Sequence, residues 1–168
     1  MILAVRLPPV LVAAVMIHSA VLPHLRVLGV SADLLLLLGV AAGIACGPER
    51  GALVGFIAGL LADCFLQTPF GLSALCGTVV GFGAGAFTGT ILRAAPWIPA
   101  ATAVAASAAG VVLFAVLGAV LGEAELLSGR LPTVAVVVGV TNGLLLPLVL
   151  PAVRWAAMAA ASPGLVLR

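Results

Sequence analysis

The side chains able to do chemistry are few, and their spacing argues against most of the reactions they could support. His18 and His24 stand six residues apart, with no His or Glu at the helical offsets that would turn two ligands toward one metal ion. Ser73 lies in GLSAL and lacks the G-x-S-x-G context of a nucleophile elbow, and no lysine exists to complete a phosphate-binding loop. Cys46, Cys64 and Cys76 are odd in number, lack C-x-x-C spacing and lie in apolar runs. They read as small buried hydrophobes, and not as a metal or disulfide set. What remains is a handful of isolated polar groups in apolar surroundings: Arg26, Asp33, Asp63 and Asn142. No catalytic residue, cofactor, metal or nucleic-acid partner is expected.

The elements that position these groups are membrane helices. Hydrophobic residues make up 64% of the 168 residues and charged ones 7%, against about a quarter charged in soluble domains. The mean hydropathy is +1.40. No polar segment is long enough to fold alone, so residues 1–168 read as a single membrane-embedded helical domain with no enzyme domain outside it. The N-terminal run resembles a secretory signal, but Pro8 and Pro9 follow Arg6 closely and no small-x-small site precedes Pro23, so it is expected to stay as the first helix.

Hydropathy and breaker residues predict six helices, over residues 8–22, 34–46, 51–66, 72–92, 100–121 and 132–154, with Pro147 and Pro151 bending the last. Asp33 is placed to cap the second. That helix is shorter than the roughly 20 residues of a perpendicular span, so it either begins earlier or sits in thinned bilayer. A re-entrant hairpin would bring Glu49 and Arg50 toward mid-membrane, at about 2.5–3.5 kcal/mol for each charge. Six spans place Arg6, Arg50, Arg93, Arg154 and Arg168 on one side and Arg26 and Arg130 on the other. The positive-inside rule makes the first side, with both termini, cytoplasmic.

Small residues set how the helices meet. Gly51, Gly55 and Gly59 recur every four residues, and the next step of that register is Asp63. Gly77, Gly81, Gly85 and Gly89 form a second stripe, and Gly39 and Gly43 carry the pattern into the preceding helix. The turn QTPFG, containing Pro69 and Gly71, should fold the two striped helices into a hairpin with close backbones. Leucine at Gly55 or Gly59 should overpack the contact, and alanine at those two sites should be milder. Asp63 ends its helix at the unfavourable pole of the dipole, so a positive group should compensate, and Arg26 is the nearest by topology. A structural ion pair, a docking surface for a partner, and a small-ligand or ion site all fit this cluster. Asn142 calls for an interhelical hydrogen bond. The outward faces of the fourth and fifth helices are candidate docking surfaces, sampled by Thr88, Ala105 and Glu125.

The run DLLLLLGVAAGIACGPERGALVGFIAGLLADCFLQTPFGLSAL, residues 33–75, resembles the rod shape-determining MreD family. That pattern joins an Asp-Leu-rich helix, a G-x-x-x-G helix ending G-L-L-x-D, and a T-P-x-G-L turn. The match covers about a quarter of the chain, with Ala32 standing where the family usually has proline. The resemblance implies a non-enzymatic component of the bacterial cytoplasmic membrane that binds the bitopic protein MreC. Through it the component would link the MreB cytoskeleton to RodA and its transpeptidase partner in lateral peptidoglycan synthesis. It also implies a fold similar to the substrate-binding subunits of energy-coupling-factor vitamin transporters, which supplies an alternative role in solute transport. Such subunits need a polar pocket, and the chain offers few polar side chains to line one.

Overall fold

The computed structural model describes residues 3–20, 29–65, 69–91 and 97–158. Pro23, His24, Arg26 and Arg93 lie outside them. In an apolar medium the backbone can satisfy its N–H and C=O groups only within the chain, and helices do so without outside partners. The described residues accordingly form six α-helices and no strand: α1 Leu3–Ala20, α2 Leu34–Cys46, α3 Pro48–Asp63, α4 Leu72–Ile91, α5 Ile98–Val120 and α6 Leu131–Met158, with a 3-10 turn at Ala124–Leu127 before the last. The same need explains the main boundary differences. Helix α1 starts upstream of Pro8 and Pro9 and contains both, and α6 runs past Arg154 with Pro147 and Pro151 inside.

Asp33 starts α2 by accepting the Leu36 N–H at Oδ1, 3.0 Å away. Gly47, at φ +94°, is the whole connection between α2 and α3. A side chain would strain that left-handed backbone, and Pro48 then opens α3 where its missing N–H is no loss. Three helices, at Leu72–Gly89, Ile98–Val120 and Leu131–Ala157, are long and apolar enough to cross a bilayer.

Helix α2 is the axis of the bundle. Its run from Leu34 to Ile44 is buried throughout except Leu36, and it touches all five other helices. Two of its neighbours reach it through bare backbone. Antiparallel α3 and α4 meet along one register, in which Gly59 faces Ser73 and Ala74, Gly55 faces Gly77, Gly51 faces Gly81, and Pro48 faces Gly85. A methyl group built on Gly55 would overlap the Gly77 carbonyl, and one on Gly39 would lie 2.7 Å from the Gly55 Cα. Three helices thus share contacts that admit no Cβ. Alanine is therefore not a mild change here, since the atoms in the way are backbone and cannot rotate aside.

Gly89 is a correction to the expected stripe. It is exposed, and nothing lies within 4 Å of a Cβ built on it. The register already reaches the first residue of α3 at Gly85, so one turn further on α4 has no partner helix left. Helices α5 and α6 form the second hairpin, with Gly139 and Gly143 against Val104, and α1 lies at the side against α2, α3 and α6.

Candidate functional site

Asp63 is only 4% exposed. Its carboxylate accepts three backbone N–H groups across the turn: Oδ2 from Gly71 at 2.8 Å and Ala74 at 3.3 Å, and Oδ1 from Ser73 at 3.0 Å. These groups open α4, where free N–H donors and the positive pole of the helix dipole favour an anion. The N-terminus of the next helix is thus one positive partner of Asp63. Arg26, the expected compensating group, lies outside the described residues. The turn geometry serves this contact. Gly71 adopts φ +97°, and the Pro69 carbonyl accepts the Leu72 N–H at 3.2 Å.

A second polar link ties the two hairpins together. Asn142 is fully buried, and its Nδ2 donates to the Asp33 carbonyl and to the Ser107 Oγ, each at 3.0 Å. It joins the start of α2 to the middles of α5 and α6. Its Oδ1 has no hydrogen-bond partner among the described residues. Ser107 carried no signal beyond being a hydroxyl in an alanine-rich helix.

Two concave surfaces stand out among the described residues. One is a cavity of about 520 Å³ at the end of the bundle that holds the α3–α4 turn. Its walls include Asp33 from the α2 cap, Ser73 from α4, Glu125 and Ser128 around the 3-10 turn, and His18 from α1. Polar side chains do line a pocket, contrary to the expectation from composition, because helix ends from distant segments pool them. The other is an open groove of about 970 Å³ between α4 and α5. Gly83, Ala101, Ala105 and Ala109 form its small-residue surface, with Phe87 and Trp97 toward one end. Thr88 is not on this outer face. It is 2% exposed and donates to the Ala84 carbonyl at 2.6 Å, while Ala105 and Glu125 are exposed as expected.

Cys76 is buried and Cys46 half-buried, but Cys64 is exposed, one residue past the end of α3, and its Sγ donates to the Leu60 carbonyl at 3.3 Å. A helix end has no next turn to cover it. Among the described residues no three His, Cys, Asp or Glu side chains come together as a metal site.

The family model for the rod shape-determining protein MreD matches residues 1–154. The chain belongs to the MreD family. The match extends far beyond the motif region, through α5 and most of α6, and family membership assigns the chain a role in rod shape determination. MreD is a shape-determining family and is not known as a family of enzymes. Together with three helices of spanning length, it identifies a membrane protein. No curated protein and no solved structure matches the chain.

Proposed function

We propose that this MreD-family chain is a multi-pass scaffold of the bacterial cytoplasmic membrane that acts by binding a single-span, MreC-like protein and not by turnover. The observation carrying this reading is the groove between α4 and α5. In hydrocarbon, helices gain little from burying apolar side chains and associate through close backbone contact, which small residues permit. Ala101, Ala105 and Ala109 repeat every four residues along that groove and are exposed. The α2–α3–α4 packing behind it is rigid, so the groove is a preformed seat for a helix. Through such a partner the chain supports RodA, its transpeptidase and, indirectly, MreB.

In this reading the chain is one domain that crosses six times, with both termini cytoplasmic. The arginine distribution supports that orientation. The short α2 and α3, about 20 and 24 Å long at 1.5 Å per residue, then require a locally thinned bilayer. Photo-crosslinkers at Ala105 and Ala109 in growing cells are expected to capture a single-span, MreC-like protein, and depletion of the chain is expected to round rod-shaped cells before growth stops.

The pocket at the turn end favours a second reading, a solute-binding transport subunit like those of energy-coupling-factor transporters. Capture of a transport ATPase at the same positions, with submicromolar binding of a vitamin, would replace the scaffold reading.

A further inference from the structure

We propose that the cavity at the α3–α4 turn end is a binding site for a small amphipathic molecule carrying a positively charged nitrogen. The inference rests on the cavity and does not depend on the partner proposed for the groove.

Position comes first. Helix α2 starts beside the middle of α6, because Asn142 bonds the Asp33 carbonyl. Leu131, the first residue of α6, lies eleven residues from Asn142, about 16 Å of helix. The volume beyond the start of α2, between α5 and α6 on one side and α3 and α4 on the other, is the cavity. At about 520 Å³ it falls within the roughly 300–1,000 Å³ of small-molecule sites.

Its chemistry is asymmetric. Leu35, Phe114 and Val138 give it an apolar wall, whereas Asp33 and Glu125 bring two carboxyl groups to its lining. Asp33 Oδ1 already accepts the Leu36 N–H, but one polar atom of the lining has no partner: His18 has a buried Nδ1 with no hydrogen bond. A lipid tail would leave these groups without polar contacts, and a phosphate would meet two like charges. An ammonium group satisfies the carboxylates, while an apolar body fits the opposite wall.

The test uses the full chain in phosphatidylcholine nanodiscs and three dansyl probes that share one ring system: dansylcadaverine with an amine, dansylamide without charge, and dansylglycine with a carboxylate. The expected result is saturable, blue-shifted emission for the amine, with a Kd at least about tenfold below that of the carboxylate. Asp33→Asn combined with Glu125→Gln keeps both shapes, and asparagine caps a helix as well as aspartate does. This variant is expected to unfold at the same temperature and to bind amine and carboxylate probes within about twofold of each other. Ala115→Phe, which fills the cavity from α5, is expected to abolish saturable binding of the amine. Equal partition of the three probes, as into empty nanodiscs, or an amine preference that survives the double substitution, would overturn the assignment.

Discussion

At the scale of single residues, the Asp63 carboxylate holds the α3–α4 hairpin closed by accepting three N–H groups that otherwise have no partner in a helix's first turn. Hydrogen bonds to a charged group contribute about 1.5–3 kcal/mol each, though not additively. Asp63→Ala is therefore expected to destabilise the protein by about 3–5 kcal/mol, measured as loss of folded protein and a lower unfolding temperature in detergent. Asp63→Asn keeps one acceptor oxygen and loses the charge, so its cost should fall at about half that. If the asparagine variant were as stable as the parent, the carboxylate would not be the closing contact. The need of Asp63 for a compensating group was legible in the sequence, but its backbone donors were not. A search among side chains leads to Arg26, which lies outside the described residues, and passes over the amides of Gly71, Ser73 and Ala74, which carry no residue-type signature. Asp33 was readable because capping is local in sequence. The Asn142 contact with Ser107 joins positions 35 residues apart, and nothing in either residue marks the other.

At the scale of elements, the glycine registers explain why α2, α3 and α4 behave as one body. Gly55→Ala is expected to cost about 1–3 kcal/mol or more, since the methyl meets the Gly77 backbone and the helices must separate to admit it. Gly89→Ala, on the same stripe of α4 but facing open space, is expected to lie within about 0.5 kcal/mol of the parent or to gain slightly from helix propensity. Comparing unfolding temperatures of these two variants separates close packing from the general cost of removing glycine. The four-residue spacing shows which glycines share a face, but it carries no information about where the partner helix ends. Only the length of α3 reveals that, and so the sequence pattern overruns by one turn. The cavity escaped notice for a related reason: it is built from the ends of elements, where small offsets between helices decide whether space is filled.

At the scale of the whole molecule, the six-helix pattern could be read directly from hydropathy, because apolar runs and breaker residues act locally. The groove and the cavity could not, because they depend on how two hairpins lie against each other. The topology makes a prediction that the native cysteines can check. Cys64 is exposed beside the turn assigned to the outer face, while Cys46 and Cys76 are partly or fully covered. A membrane-impermeant maleimide added to intact spheroplasts is expected to label the parent and not Cys64→Ser, and labelling only after lysis would reverse the orientation. The Asp63 contact also constrains biogenesis. The amides that Asp63 needs belong to residues eight to eleven positions later. During synthesis the carboxylate therefore leaves the ribosome ahead of its partners, and an unpaired charge drawn to the bilayer centre costs about 2.5–3.5 kcal/mol. The α3 segment is poorly suited to leave the insertion machinery by itself. Once the start of α4 emerges, the two helices are expected to enter the bilayer together, already closed by the bond that later holds them.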